Sequence, residues 1–348
     1  MKIAIIFGAS SFEHEISIVS AITMKKILKK HETVFIFVDS SRDIYMIENK
    51  NMKSSYFSSG EYKKSRKVSI AKGGFFVSGV MGNRKIDCDM VLNLIHGRDG
   101  EDGKMAALME FYDIDFIGPR LEGSVISYNK LYTKLYASSL GIDVLPYEIL
   151  TRENSAKDSI DFPLIIKPLR LGSSIGVSIV RDEKELDYAL DVAFEFDDTV
   201  LIEPFVEGIR EYNLAGCKTS VWEFSIVEEP HKDEFLDFDK KYMDFSRDST
   251  LSEAVVDEVL REEMERAFRG IYDPLFLGSV IRCDFFVHEG RLILNEINPI
   301  PGSMANYLFE DFEDMLERLG RHLPRERTIG IDYAYIHSIQ GAKGKAGR

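Results

Sequence analysis

The chain opens with KIAIIFG, a β-branched apolar run ending in glycine. Next comes SSFEHEISIVSAITMKKILKK, where apolar residues recur at helical spacing and basic residues gather at the end, as a final helical turn favours. TVFIFVD reads as the following strand, so the start of the chain predicts a β–α–β unit. From about Tyr45 to Val80, short apolar runs alternate with polar connections and suit short strands or hairpins. MVLNLIHG predicts another buried strand, GEDGKMAALMEFYDI a helix, and DFIGP closes a first unit near residue 119. SVISYNKLYTKLYASSLGI predicts one helix ending at Gly141. Beyond it, PLIIKP, GVSIV, TVLIEPFV and EYNLAGC alternate with the helical DEKELDYALDVAFEF. A polar loop near 229–252, the helix VVDEVLREEMERAFRGIY and the hairpin IRCDFFVHEGRLILNEIN follow. No internal repeat is present. The pattern divides into units at 1–119, 120–216 and 217–330, with a tail at 331–348 whose basic, glycine-rich end, QGAKGKAGR, is given no role.

Composition narrows this picture. A chain of 348 residues exceeds one ordinary core, and 45% hydrophobic with 29% charged residues describes a globular protein. The formal charge of −14 argues against nucleic acid or an anionic membrane as the main partner. Cys88, Cys217 and Cys283 are far apart without C-x-x-C spacing, which suits buried thiols in a reducing compartment. The first apolar run is too short for a signal-peptide core or a membrane span, so a cytoplasmic protein is expected.

FPLIIKPLRLGSSIGVSIV contains GSSIG, which fits the G-x-S-x-G pattern of a hydrolase nucleophile elbow. That elbow requires strand, turn and then helix. Here VSIV follows and reads as a strand, so the pattern is strand, Gly/Ser loop, strand. Such a tip offers clustered N–H and O–H donors to phosphate oxygens, and alone it is equally an ordinary hairpin tip. No G-x-x-x-x-G-K-[ST] and no G-x-G-x-x-G is present.

RCDFFVHEGRLILNEINPIPG carries Asp284, Glu296 and Asn298, oxygen ligands of the kind Mg²⁺ prefers. For Asp284 and Glu296 to share a face, strand alternation requires an odd-numbered connection. A three-residue loop at His288, Glu289 and Gly290 is expected; a two-residue Glu289–Gly290 turn would need a bulge. Lys130 and Lys167 lie in apolar settings, where an anionic ligand would offset their burial, although either alone could snorkel to water. His96 follows a strand among glycines and is balanced between a ligand contact and a structural role. Glu13 and Glu15 stand near a helix start, where they complement its dipole or bind an amino group.

In order along the chain, FGASSFEHEIS, HGRDGEDG, YNKLYTK, IIKPLRLGSSIGVS, VLIEPFVEGIREYNLA, EFLDFDKKYMD and RCDFFV…LNEINPIPG resemble the D-alanine–D-alanine ligases of the ATP-grasp superfamily, from residue 1 to about 320. The resemblance implies an α/β ATP-grasp fold with a Rossmann-like N-terminal unit and ATP between two antiparallel sheets. It implies Lys130, Lys167 and Ser174 on the phosphates, Glu203, Phe205 and Val206 at adenine, and Glu211 on the ribose. Pro204 has no N–H, which moves the backbone contact with adenine to Phe205 or beyond. Asp284, Glu296 and Asn298 match the ligands of two Mg²⁺ ions, with Mn²⁺ as a substitute. Glu13 matches the carboxylate that meets the first D-alanine's ammonium, with His96 close by.

Arg282 and the backbone near Gly302 are placed by the resemblance to stabilise a tetrahedral oxyanion. Lys241 and Tyr242 would close a lid over about 229–252, latched through Glu13, Ser173 and Tyr242. Tyr242 matches dipeptide-forming members rather than depsipeptide-forming ones. Tyr307 departs from the pattern, standing where many relatives carry a serine that contacts the second substrate. The implied reaction joins two D-alanines through a D-alanyl phosphate, for peptidoglycan precursors, in a homodimer. Competing readings are an ATP-grasp ligase for another acid and amine, a non-catalytic nucleotide-binding protein, and, least suited, a reductase on the N-terminal unit.

Overall fold

A computed structural model describes residues 1–79, 82–154, 159–230 and 253–341. The expected lid residues Lys241 and Tyr242, and residues 231–252 in general, lie outside the described residues.

The first sheet has eight strands: β1 (Lys2–Gly8), β2 (Glu32–Val38), β3 (Ile44–Ile47), β4 (Arg66–Ala71), β5 (Gly74–Gly79), β6 (Gly82–Lys85), β7 (Met90–Asn93) and β8 (Phe116–Ile117). Their order is β6-β5-β4-β3-β2-β1-β7-β8. β1 pairs in parallel with both β2 and β7, as helical crossovers require, and the β3–β6 edge is antiparallel. Helix α1 (His14–Ile27) makes the first crossover, α2 is the short Ser54–Ser58 turn, and α3 spans Lys104–Phe111. β1 is buried on both faces from Ile3 onward, which is why KIAIIFG shows no alternation.

Two four-stranded antiparallel sheets follow. β9 (Glu148–Thr151), β10 (Leu164–Pro168), β11 (Ser178–Val180) and β12 (Thr199–Pro204) are ordered β11-β10-β12-β9. β13 (Arg210–Lys218), β14 (Trp222–Glu228), β15 (Ile281–His288) and β16 (Arg291–Asn298) are ordered β14-β13-β15-β16. The expected single helix before them is two, α4 (Leu121–Tyr128) and α5 (Lys130–Ser139). Asn129 breaks it: its backbone turns extended, and its side chain accepts from the N–H groups of Leu131 and Tyr132 at 3.0 and 3.3 Å. The break sets Lys130 at the first position of a new helix, aimed into the cleft rather than along the old axis. α6 (Glu183–Phe194) covers the second sheet, capped by Asp182.

α7 (Glu258–Tyr272) and α8 (Phe312–Gly320) pack with the third sheet and with one face of the first, in one continuous apolar core. At its centre Phe268 is fully buried, edge-on to Phe224 and Trp222 and stacked on Tyr272. A short helix at Ala334–Gly341 follows, and residues 342–348, most of the basic, glycine-rich end, lie outside the described residues. Among the described residues no helix is long and apolar enough to cross a membrane.

Removing the Phe268 ring leaves a cavity against neighbours that cannot all collapse. Phe268→Ala should lower the unfolding free energy in urea titration by about 3–5 kcal/mol. The exposed Phe111→Ser should change it by less than about 0.5 kcal/mol.

Candidate active site

The site assembles where the three sheets meet. The loop after β1 brings Glu13 to the start of α1, and that loop is stitched to its surroundings by buried polar groups. Ser17 accepts from Gly8 N–H at 2.7 Å and donates to the Leu94 carbonyl at 2.5 Å. Asp99 accepts from Ser10 N–H and from both arms of the Arg42 fork, at 2.9–3.2 Å. Glu13 is 5% exposed. One of its oxygens accepts from the Ser173 hydroxyl, while the other, Oε2, has no hydrogen-bond partner among the described residues. Burial raises the Glu13 pKa; the Ser173 hydrogen bond and the charge of Lys130 oppose the rise.

Ser173 and Ser174 both adopt positive φ, 59° and 58°, in the loop between β10 and β11. That loop is a left-handed tip between strands, with no helix after it, so the elbow geometry is absent. Gly172 packs so close to Glu13 that a Cβ there would lie 3.0 Å from Oε1. Lys130 reaches across from α5 to the Leu171 carbonyl, and the loop is thereby tied at two successive points. Burial lowers the Lys130 pKa, opposed by Glu296, Glu13 and Glu203.

Lys167 ends β10 and meets Glu203 Oε2 at 2.6 Å, with Asn295 at 3.5 Å. Burial works against the lysine's charge, but Glu203, with Glu296 and Glu211 beyond it, leaves its pKa raised. The other Glu203 oxygen pairs with Lys134, a residue without a role in the sequence reading. In the hinge after β12, the N–H of Phe205 donates to the Pro163 carbonyl at 2.9 Å. That bond spends the donor expected to meet adenine.

Asp284 and Glu296 stand directly opposite each other on β15 and β16, and Arg282 stands opposite Asn298. All four therefore share one face of the sheet. The connection is not the expected three-residue loop. His288 pairs with Arg291 across a two-residue turn, in which Glu289 and Gly290 have φ of 52° and 74°. The register then shifts between Asp284 and Phe285, leaving Asn295 as a bulge residue that restores the alignment. Arg282 grips both Asp284 oxygens at 2.7 and 2.8 Å, and Asn298 donates to Asp284 at 2.9 Å. Burial opposes the Arg282 charge, and the Asp284 carboxylate more than offsets this, raising the pKa. Among the described residues no group of three His, Cys, Asp or Glu side chains is arranged around an ion. The donor set itself, two carboxylates and an amide on one face, fits a hard divalent cation.

His96 is 3% exposed, with Nε2 at 2.9 Å from Ser20 Oγ and Nδ1 without a partner among the described residues. Ser20 in turn accepts from the N–H of Ser303 at 3.1 Å. It thus joins His96 to the Gly302 turn, where Ser303, Met304 and Ala305 all have positive φ. Tyr307 donates to Glu228 at 3.3 Å, within the electrostatic reach of Arg282.

The family models described as "D-ala D-ala ligase N-terminus" and "D-ala D-ala ligase C-terminus" match residues 2–119 and 136–319. A D-alanine–D-alanine ligase of Sulfurovum sp. (strain NBC37-1) is 62% identical over 346 residues, covering 99% of this chain and 100% of its own length. The chain belongs to the D-alanine–D-alanine ligase family. The crystal structure of the D-alanine–D-alanine ligase from Helicobacter pylori superposes with a TM-score of 0.84 at 47% identity, over 94% of this chain and 100% of that one. VanG, a D-Ala:D-Ser ligase from Enterococcus faecalis, superposes at 0.74 with 27% identity, over 91% and 98% of the two chains. The fold is therefore ATP-grasp, and the chain is a ligase whose family uses ATP and a divalent metal.

Within the site of this ligase, sequence reasoning passed over Ser20, Glu101 and Lys134. Ser20 looked like one more small residue on a helix face. Burial, with Glu13 adding to it, pushes the Glu101 carboxyl well above the usual range. Its place in GRDGEDG, where Gly100 is pressed so tightly that a Cβ would lie 1.8 Å from the Ile95 carbonyl, was the available signal.

Burial depresses the His96 pKa from 6.5 to about 4. The unfolded chain then binds a proton that the folded one refuses, so stability falls as pH drops from 6.5 towards 4 and levels off below. Urea unfolding should show His96→Gln losing about 2 kcal/mol less stability than wild type between pH 7 and pH 5. An unchanged pH dependence would contradict the burial argument.

Proposed function

We propose that this site joins two D-alanines into D-alanyl-D-alanine through a D-alanyl phosphate, releasing ADP and phosphate for peptidoglycan precursor synthesis. The observation that carries the reading is the Ser173 hydroxyl donating to Glu13, which ties the Gly/Ser loop onto a buried carboxylate of another sheet. An ammonium group brought to the unpartnered Oε2 of Glu13 would meet a fixed negative charge beside the loop that holds the phosphates.

In this mechanism Lys130, Lys167 and Ser174 bind the triphosphate, and the lysines offset the repulsion between it and the attacking D-alanine carboxylate. Val206, with Glu203 and Phe205 beside it, positions adenine, and Glu211 the ribose. Asp284, Glu296 and Asn298 would hold Mg²⁺, or Mn²⁺ in its place, which when bound supplies positive charge at the transferring phosphoryl group. Glu13 orients the first D-alanine by its ammonium. His96, neutral at pH 7 and tied to Ser20, lines the same pocket without adding charge. The second D-alanine's amine then attacks the acyl phosphate, and Arg282 with the Gly302 backbone meets the developing oxyanion. Arg282 stays charged there because Asp284 accompanies it into the interior. Tyr307, a hydroxyl near Arg282, would meet the second substrate's carboxylate.

Residues 229–252, with Lys241 and Tyr242, would close over the acyl phosphate and keep out water, Tyr242 joining Glu13 and Ser173 in the latch. Division into units at 119, 216 and 330, a homodimeric state and a cytoplasmic location go with this assignment.

Phosphate release from ATP and Mg²⁺ should depend on D-alanine and give a D-Ala–D-Ala product by mass, with L-alanine, D-lactate and D-serine far less effective. Release with D-lactate at a comparable rate would remove the role given to Tyr242. Ser173→Ala loses a charge-assisted hydrogen bond, so the ATP and D-alanine requirements should both rise by about tenfold or more. Ser174→Ala should retain substantial activity. Equal losses for the two variants, with covalent labelling by a serine-directed reagent, would sink the phosphate-loop assignment.

A further inference from the structure

Lys134 is a buried cation to which the mechanism above gives nothing to do. Its side chain is 3% exposed, on the same face of α5 as Lys130 one turn earlier. Its ammonium pairs with Glu203 Oε1, lies 3.4 Å from the Leu145 carbonyl and sits 5.4 Å from the centre of the Tyr147 ring. Glu203, 1% exposed, thus carries two lysines, Lys134 on one oxygen and Lys167 on the other at 2.6 Å. With all three groups charged, the cluster holds one positive charge in excess.

We propose that Lys134 is a positioning residue: it keeps Glu203 neutralised so that Lys167 is free to leave that carboxylate for a phosphate of ATP. If Glu203 had Lys167 alone, moving the lysine to a nucleotide would strand a buried carboxylate, and the carboxylate would compete with phosphate for the only cation. With Lys134 in place, departure of Lys167 leaves a balanced pair behind. The two lysines are not interchangeable in this exchange. Lys134 is fixed on its helix between a carbonyl and a ring, whereas Lys167 ends a strand at the mouth of the Gly/Ser loop, within the fields of Glu296 and Glu211. The exchange rests on the ATP assignment made above and adds a residue that never touches the nucleotide.

The test uses the full-length enzyme, with kcat and KM for ATP and for D-alanine measured by D-alanine-dependent phosphate release, and Mg-ADP binding by calorimetry. Lys134→Met should raise the ATP KM and the Mg-ADP Kd by about tenfold or more, as expected when a buried charge loses its partner. Its kcat and D-alanine KM should change much less, and Lys134→Arg should recover most of the affinity. A purely structural lysine predicts that adding a second change at the cluster weakens binding further. The exchange predicts the opposite, that Lys134→Met with Glu203→Gln binds Mg-ADP more tightly than Lys134→Met alone, because Lys167 is released. Unchanged ATP affinity in Lys134→Met, or weaker binding still in the double variant, would overturn the proposal while the ligase reading stands. Should Lys134→Met not fold, the double variant, which keeps the net charge of the cluster, decides on the same binding comparison with Lys134→Arg. Absence of ATP binding by the wild-type enzyme would instead remove the ATP assignment, and the exchange with it.

Discussion

Where the three sheets meet, Glu13, Lys130, Lys167, Glu203, Asp284 and Glu296 are held away from bulk water, and each is tolerable there because another carries the opposite sign. This mutual dependence explains why the architecture is distributed. No single sheet supplies all of these charges. The first contributes the carboxylate of Glu13, the second Lys167 and Glu203, the third the Arg282–Asp284 pair, and α5 adds Lys130 and Lys134 between them. A cleft built in this way is electrostatically strong and poor in water, which is what transfer of a highly charged phosphoryl group demands.

The neutral polar groups serve the charged ones. Ser17 pins the β1 loop, Asp99 gathers Arg42 and the Ser10 backbone, and Ser20 bridges His96 to Ser303. Each satisfies a group that would be costly to leave unpaired, and each links segments far apart in the chain. The positive-φ run at Ser303–Ala305 is held by such contacts and by the burial of Met304 and Ala305.

Much of the fold was readable because the periodicities were clean: the unbroken apolar β1, the capped α6 and the two strands β15 and β16 all lie where pattern puts them, although the turn between those strands has two residues rather than three. The failures were local and physical. The α4–α5 break was hidden because Asn129 interrupts an apolar spacing that runs on through it, and only the side-chain cap betrays the boundary. β14, with its half-buried residues, offered too weak an alternation beside the charged stretch that follows. In the candidate site, residues within distinctive motifs could be named from order along the chain. Lys134 and Ser20 could not, because their meaning lies in partners 69 and 76 positions away, Glu203 and His96. The Phe205 donor was likewise lost to a pairing with Pro163 across the sheet that no local pattern announces.

The β15–β16 hairpin couples two details that look independent. The turn at Glu289–Gly290 has even length, and the bulge at Asn295 repairs the facing of Glu296 and Asn298. Flatten the bulge so that Asn295 pairs with Asp284 and both would turn to the far side of the sheet, away from Asp284 and Arg282; shift the pairing to a three-residue turn while keeping the bulge and the same inversion results. Either change alone scrambles the face, whereas both together preserve it. Parity is therefore the coupled quantity: an even turn needs the bulge, and an odd turn needs its absence.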